Sequence, residues 1–209
     1  MEPFTTITAV AAPLLRSHVD TDSIIPSREL QRVSKQGLSA GLFANWRYTD
    51  PGRREEEPGF ILNQAPYRAA EILLSGANFG CGSSREHAVW ALREWGVRCV
   101  IAPSFGLIFH DNCVRNGVLP VVLGDDVIED LARQVEADPG TARLRVSLEN
   151  STVTAPDGTA HAFDIRQADR EMLLGGLDAI SVTSKHEQAI FAFQERDRLA
   201  RPWVYGKGR

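Results

Sequence analysis

The residues best suited to chemistry in this chain lie together in segment 76–87, which reads GANFGCGSSREH. Two adjacent serines supply hydroxyls that can move a proton or bind an anion, and Arg85 adds a fork of donors that matches a carboxylate. Gly80 and Gly82 allow a ligand to come close to the backbone. The segment therefore predicts a site for a small carboxylate or phosphate.

This segment joins a predicted strand at 70–74 to a predicted helix at 85–95. The first turn of a helix carries unpaired N–H groups and about half a positive charge, so an anion binds favourably there. A structural alternative exists, because Ser83 followed by Glu86 has the spacing of a capping box. A cap needs only one serine, whereas a second serine, an arginine and a histidine share the same turn, and this density favours a functional site.

Alternating apolar runs and helical periodicity around this segment predict an α/β fold. Two further strands, at 97–101 and 118–122, flank a helix at 105–114, which implies parallel strands joined by right-handed crossovers. The other predicted elements are strands at 7–12, 144–148 and 160–165 and helices at 170–174 and 187–196. We expect a single domain over 1–209, in which 196–209 form a peripheral basic tail.

The composition is that of an ordinary globular protein, with 209 residues, 43% hydrophobic and 24% charged, and a net charge of −4. This acidic balance disfavours nucleic acid as a partner. The absence of a long apolar run and of a basic leader favours a cytoplasmic protein without a membrane partner. The cysteines, Cys81, Cys99 and Cys113, lack C-x-x-C spacing and fit reduced, packing thiols better than a disulfide, zinc or iron–sulfur site.

Three other classes of protein compete for the same residues. A dinucleotide fingerprint begins at Gly80 and Gly82, but Arg85 stands where the third glycine belongs, and no triphosphate-binding P-loop is present. A serine hydrolase would pair Ser83 or Ser84 with a histidine, yet the nucleophile elbow G-x-S-x-G is absent. A non-catalytic module that binds small anions stays open.

Several separated motifs carry a resemblance to a known family. They are VDTDSIIP at 19–26, GLFANWR at 41–47, NFGCGSSREHA at 78–88, APSF at 102–105, NGVLP at 116–120 and GLDAI at 176–180. In this order they resemble the aconitase swivelling-domain family, and within it the small subunits of isopropylmalate-type dehydratases. The match covers nearly the whole chain and leaves out the tail at 201–206.

The resemblance implies a three-layer β/β/α fold with a central mixed, partly parallel sheet. It also implies half of an active site. In this family a separate large subunit holds a 4Fe–4S cluster, so no cofactor or metal is expected on this chain, and a heterodimer or heterotetramer is expected. The implied reaction isomerises 2-isopropylmalate to 3-isopropylmalate through isopropylmaleate, a step of leucine synthesis. The implied substrate is therefore a small dicarboxylate. The isolated chain is expected to be inert.

Site residues follow from the resemblance by motif position. Ser83 would remove the carbon-bound proton, while Ser84 and Arg85 would bind a substrate carboxylate and Leu30 the substrate side chain. The supporting residues would be His87, Asp20, Thr21, Gly80 and Gly82. His87 would either orient a serine or simply pack, and Asp20 and Thr21 taken alone read as turn residues.

The substrate prediction is less direct, because the chain departs from the family pattern in two places. Glu29 precedes Leu30 where many relatives have an aromatic residue, and segment 34–38 also differs. An isopropyl group prefers an apolar pocket, and a glutamate facing it would favour another diacid, such as citraconate, homoaconitate or a dimethylmalate. If Glu29 points to solvent and Leu30 points inward, isopropylmalate is retained.

Overall fold

A four-stranded parallel sheet forms one half of the structure, in a computed structural model that describes residues 1–30 and 36–206. Its strands lie in the order β2–β5–β6–β7, with bounds Ala11–Leu14, Ile72–Ser75, Cys99–Ala102 and Leu119–Val122. Every residue of β2, β5 and β6 is buried. Such continuous apolar runs are typical of parallel strands covered on both faces, and the predicted parallel pairing is confirmed.

A second, antiparallel sheet has the order β1–β8–β9–β10, with bounds Thr6–Ala9, Leu144–Ser147, Thr152–Thr154 and Ala160–Ala162. A short hairpin of β3 (Tyr48–Asp50) and β4 (Glu55–Glu56) stands apart. The α/β class with both kinds of strand pairing is therefore confirmed, and the two kinds occupy separate sheets.

The predicted strand at 7–12 is wrong as a single element. The chain leaves the antiparallel sheet at Ala9, which pairs with Leu144, and enters the parallel sheet at Ala11, which pairs with Ile72. Local β propensity runs unbroken through this stretch, but the two halves find different partners. Val10 is thus the crossing point between the sheets. The strand predicted at 160–165 is likewise shorter and ends at Ala162.

Eight α-helices occur in the described residues. They are α1 (Thr21–Ile24), α2 (Ala44–Arg47), α3 (Glu86–Trp95), α4 (Leu107–Arg115), α5 (Asp125–Ala137), α6 (Gln167–Gly175), α7 (Ala179–Ser184) and α8 (Glu187–Ala200). The helices predicted at 85–95 and 105–114 are confirmed as α3 and α4, and α6 and α8 are longer than predicted. None of them combines the length and the apolar character that crossing a bilayer requires.

Helix α5 was not predicted, although its buried residues Ile128, Leu131, Ala132 and Val135 have helical spacing. It packs against β2, β5 and β6. The loops that follow β2, β5 and β6 all leave the carboxyl ends of parallel strands, so they meet at one edge of the sheet. This edge carries the candidate site.

Candidate functional site

The loop between β5 and α3 needs its glycines for both conformation and space. Gly80 and Gly82 have φ angles of +73° and +89°, in the left-handed region that side chains disfavour. A Cβ at Gly80 would overlap the ring of Phe109 on α4. A Cβ at Gly106 would lie 2.5 Å from the carbonyl oxygen of Gly80. The loops after β5 and β6 therefore pack backbone against backbone.

Main-chain hydrogen bonds join the loops after β2, β5 and β6 into one unit. The N–H groups donate as follows: Gly80 to Val19 (2.7 Å), Thr21 to Cys81 (3.0 Å), Phe79 to Ser104 (3.0 Å) and Gly106 to Phe79 (2.8 Å). Segments far apart in the sequence are thus held together by main-chain atoms rather than by side chains. Their relative positions depend on the sheet rather than on flexible side chains.

Ser83 is exposed on this loop, and the residue that contacts it, Thr21, is buried. The Thr21 hydroxyl donates to the Ser83 carbonyl oxygen at 3.0 Å, and its oxygen is 3.1 Å from Ser83 Oγ. Asp20 is the N-cap of α1, where its carboxylate accepts from the Ser23 N–H at 2.6 Å. Asp20 and Thr21 therefore belong to a capped helix turn that contacts the glycine loop.

The structural alternative, a capping box of Ser83 and Glu86, is not formed. Arg85 is the N-cap residue of α3, and no side chain caps this helix. The Arg85 N–H donates to the Ser83 carbonyl oxygen at 2.8 Å, a tight turn that delays the start of the helix. Glu86 instead accepts from the amide of Asn116 at 2.8 Å, at the carboxyl end of α4. Ser83 is consequently not used as a cap.

Arg85 and Ser84 lie beside Ser83 in the same turn. A guanidinium nitrogen of Arg85 forms an ion pair with Asp22, which also accepts from the Ser27 hydroxyl at 3.1 Å. The hydroxyl of Ser84 is exposed and makes no hydrogen bond within the described residues. The remaining guanidinium N–H groups, the Ser84 hydroxyl and the first turn of α3 are all donors that a carboxylate accepts from.

His87 packs rather than pointing at a serine. Its ring centroid lies 4.7 Å from that of Trp90, and within the described part of the chain no hydrogen bond joins it to Ser83 or Ser84. Another histidine, His18, was not singled out from the sequence. Its Nδ1 lies 3.0 Å from the side-chain amide nitrogen of Asn78, and both residues have positive φ angles.

Glu29 does not point to solvent, unlike the orientation considered from the sequence. Its side chain is only 13% exposed and forms an ion pair with Arg54 at 2.6 Å. That hydrogen bond raises the pKa of the Arg54 guanidinium. The Glu29 side chain also lies so close to Gly41 that a Cβ there would be 2.7 Å away. Leu30 is partly buried and packs against the core, so only one half of the arrangement considered for isopropylmalate is present.

The departing segment 34–38 is only partly within the described residues, because Ser34 and Lys35 lie outside them. Its end is fixed by Glu94 of α3, which accepts from the N–H groups of Gly37 at 2.5 Å and Ser39 at 2.7 Å. Partial burial raises the pKa of Glu94, but these backbone donors outweigh it and hold the pKa below its ordinary value.

A cleft of about 270 Å³ opens directly beside Ser83. Its lining residues are Gly80, Cys81, Gly82, Ser83, Gly106, Leu107, Ile108 and Phe109. One wall is glycine backbone and the other is the amino end of α4, where Leu107 and Ile108 are exposed. The sequence analysis did not select these two aliphatic side chains as site residues. Two apolar residues directly after a glycine at the start of a helix were a pattern that could have indicated them.

The cysteines do not form a ligand set for a metal cluster. Cys99 and Cys113 are fully buried, and burial raises the pKa of both thiols. Cys81 is half-buried in the glycine loop, and all three thiols are free. Across residues 1–30 and 36–206, no group of three or more histidine, cysteine or acidic side chains is placed to hold a metal ion.

A family model described as the aconitase C-terminal domain matches residues 1–126. A second model, LeuD_N, matches residues 129–166. The first covers more than half of the chain, which therefore belongs to the aconitase C-terminal domain family. The class implied by the separated motifs is confirmed.

Curated relatives place the chain more narrowly. It is 54% identical to the 3-isopropylmalate dehydratase small subunit of Cupriavidus necator over 208 residues, covering 100% of both chains. It is 49% identical to that of Rhodospirillum centenum, covering 99% and 100%. It is 47% identical to that of Neisseria meningitidis serogroup A, covering 98% and 99%. The chain thus belongs to the family of 3-isopropylmalate dehydratase small subunits.

One solved structure has the same fold. The crystal structure of 3-isopropylmalate dehydratase (leuD) from Methanocaldococcus jannaschii aligns with a TM-score of 0.64 at 23% identity, covering 90% of this chain and 98% of that one. At this identity the likeness concerns the fold alone.

Proposed function

We propose that this chain is the small subunit of a 3-isopropylmalate dehydratase. It would supply the proton-transfer and carboxylate-binding half of an active site, and a large subunit would complete it. The observation that carries the proposal is the exposed Ser83 hydroxyl, supported by Thr21 and placed beside Arg85 at an uncapped helix start.

The reaction removes and restores water across one carbon–carbon bond. Ser83 takes the proton from the carbon next to the one that bears the hydroxyl. The C–H electron pair becomes the second bond of the alkene, and the hydroxyl leaves with the C–O electron pair as hydroxide, which takes a proton from solvent to become water. In rehydration, water adds in the other orientation. Its hydroxyl goes to the carbon that lost the proton, and Ser83 gives its proton to the carbon that first bore the hydroxyl.

Ser83 becomes basic through several contributions that act together. A helix start contributes at most about 2 kcal/mol, which is roughly one and a half pKa units. This is too little to ionise a serine. Donation from Thr21, the positive charge of Arg85 and loss of water when the partner closes over the cleft each favour the anion further.

A substrate carboxylate would bind to Ser84 and Arg85. The ion pair with Asp22 uses one nitrogen of the guanidinium and fixes its direction, which leaves other N–H groups of the fork for the ligand. The exposed Ser84 hydroxyl and the first-turn N–H groups of α3 add neutral donors. A dicarboxylate held at one end here presents its carbon skeleton to Ser83.

A 4Fe–4S cluster is proposed for the large subunit, since the cysteines of this chain do not fit it. When bound there, the cluster would act as a Lewis acid toward the departing hydroxyl. The two subunits would associate as a heterodimer or heterotetramer. We place the protein in the cytoplasm, a reducing compartment that the three free thiols suit.

The preferred substrate would carry an isopropyl group. Arg54 pairs with Glu29 and balances its charge, and Leu30 packs against the core. Burial of the two extra methyl groups of isopropyl favours it over a smaller substituent by about 2 kcal/mol. Citraconate, homoaconitate and dimethylmalate chemistry are the alternatives that a substrate panel separates.

The test mixes the purified chain with an anaerobically reconstituted large subunit and follows the ultraviolet absorbance of the unsaturated diacid. 3-Isopropylmalate, citramalate, homoisocitrate and a dimethylmalate are compared, with each subunit alone as control. We expect turnover only in the mixture and fastest with 3-isopropylmalate. Preference for another diacid would correct the substrate, and silence with all four in a formed, cluster-loaded complex would overturn the proposal.

A further inference from the structure

The C-terminal arm, defined here as residues 179–206, leaves an unusual amount of apolar surface uncovered. In α8, which has 14 residues, only Asp197 is buried. Six of the eleven large exposed hydrophobic side chains in the described residues belong to this arm: Ile180, Phe191, Phe193, Leu199, Trp203 and Val204. A water-exposed helix normally keeps such residues on a covered face, but no part of the chain within 1–30 and 36–206 covers these side chains.

The tip of the arm has a defined structure of its own. Asp197 accepts from Arg201 Nε at 2.7 Å and from the Tyr205 hydroxyl at 2.9 Å. The Arg201 guanidinium holds the pKa of Asp197 below its ordinary range, and Arg198 lies over the Tyr205 ring. This arrangement presents Trp203, which is 74% exposed, from an ordered turn. Ordered, exposed tryptophans are typical binding anchors.

A groove runs between α7 and α8. It has a volume of about 510 Å³, and Ile180, Ile190 and Phe191 supply its apolar lining. Ile180 also lines a neighbouring cleft of about 300 Å³ together with Arg115, the last residue of α4. This cleft therefore joins the arm to the carboxyl end of α4, with Met172 and Ile180 as its apolar side chains and Asp178 and Arg115 as its charged ones.

The same helix reaches the candidate active site. Leu107 at its amino end lines the cleft beside Ser83 and also a second depression shared with His110 and Ile165. Helix α4 is nine residues long, or about 13 Å, so its exposed side connects the two regions. A partner that closes over Ser83 would meet this surface first and the arm directly beyond it.

We propose that the C-terminal arm docks on the large subunit through the groove between α7 and α8 and through Trp203. The inference rests on the proposed function, which requires the large subunit to cover the Ser83 cleft. A second copy of this chain fits less well, because Arg196, Arg198 and Arg201 outnumber Asp197 at the tip, and self-association would bring these like charges together. The complementary surface would be an apolar pocket with an acidic rim.

The test uses the full-length chain and the cluster-loaded large subunit, with Phe191→Ser and Trp203→Ala as arm variants. Leu199→Gln is the matched control, since Leu199 is the most exposed of these side chains at 88% yet does not line the groove. We expect each arm variant to raise the Kd of the complex at least tenfold, with Leu199→Gln within twofold of the unchanged chain. For the arm variants, a saturating concentration of the large subunit is expected to restore kcat. Circular dichroism and the Tm of each variant show whether it is folded.

Several results would overturn the docking proposal. These are unchanged affinity of both arm variants in an active complex, an equal loss from Leu199→Gln, or a fall in kcat that saturation does not restore. A dimer of the free chain that Phe191→Ser dissolves, with no change in the large-subunit complex, would assign the groove to a second copy. Failure of the proposed function is distinguishable, because the unchanged chain would then give no turnover with any of the four diacids, whereas failure of the docking proposal leaves its turnover intact.

Discussion

The hydroxyl oxygen of Thr21 lies 3.1 Å from Ser83 Oγ and 3.0 Å from the Ser83 carbonyl oxygen. Thr21 has one hydroxyl proton, so it donates to only one of them at a time. When the carbonyl oxygen receives it, the Ser83 hydroxyl can donate its own proton to the Thr21 oxygen. When Ser83 Oγ receives it, the bond stabilises an anion. Thr21 therefore orients Ser83 in both states.

Thr21→Val is expected to lower kcat by about 10- to 100-fold, because a hydrogen bond to a charged oxygen is worth about 1.5–3 kcal/mol. Thr21→Ser keeps the hydroxyl and is the matched control, with a rate near that of the unchanged chain. Steady-state kinetics of the reconstituted enzyme measure both. Equal rates for the valine and serine variants would show that Thr21 only packs.

Ser83→Ala is expected to abolish turnover while the complex with the large subunit persists, since the alanine removes only the proton acceptor. Ser84→Ala is expected to raise KM more than it lowers kcat, because it removes a donor to the substrate carboxylate. Affinity and rate are measured separately for each variant. Near-normal turnover by Ser83→Ala would contradict its assignment as the base.

Arg85→Lys is expected to raise KM at least tenfold. Lysine keeps the charge but loses the planar fork that binds a carboxylate with two parallel hydrogen bonds. Arg93→Lys is a suitable control, because Arg93 forms a comparable ion pair with Glu2 outside the site. A similar KM for both variants would show that charge alone is required.

Gly80→Ala is expected to destabilise the fold by about 2–4 kcal/mol, since the new methyl group overlaps Phe109 and the positive φ angle disfavours a side chain. Gly96→Ala carries the positive φ angle without the overlap, because nothing lies within 4 Å of its Cβ position. Denaturant unfolding of the pair isolates the packing contribution. Equal losses would argue against close packing of the loop on α4.

The anchoring of segment 37–39 by Glu94 is expected to depend on pH. The pKa of Glu94 is held below its ordinary value of 4.5, so the folded state favours the ionised form. The resulting stabilisation is present above pH 4.5 and is lost as the pH falls through the lowered pKa. Hydrogen exchange of the Gly37 and Ser39 amides measures it.

Glu94→Gln is expected to speed exchange of these two amides at neutral pH, because a neutral amide oxygen is a weaker acceptor. The difference from the unchanged chain is expected to shrink below pH 4.5. Glu136→Gln provides a control glutamate on α5, away from this loop. A difference that stays constant with pH would exclude the ionised carboxylate as the anchor.

The parts of the structure predicted from sequence are those that local patterns determine. The strand, glycine loop and helix around Ser83 and Arg85 are contiguous, so their periodicity and composition identify them. The contact of Thr21 with Ser83 joins positions 62 residues apart, and its details depend on how three strands align. The sequence of neither segment alone indicates that these two side chains are in contact.

The one strand prediction that failed and the two alternatives that the structure excludes have the same physical origin. The capping box was read from Ser83 and Glu86 alone, but Asn116 of a different loop takes the glutamate. The strand at 7–12 has uniform local propensity, and only its partners, Leu144 and Ile72, divide it between sheets. The orientation of Glu29 was decided by Arg54, which no spacing rule places beside it.

The backbone contact between Gly80 and Gly106 has a consequence for how this family can vary. One wall of the cleft is built from main-chain atoms, whose positions change little when neighbouring side chains are exchanged. Exchanging the side chains of the loops themselves therefore leaves the shape of this wall largely unchanged, as long as the sheet below keeps its packing. The opposite wall, where Leu107 and Ile108 are exposed, is the one whose shape a side-chain substitution changes directly.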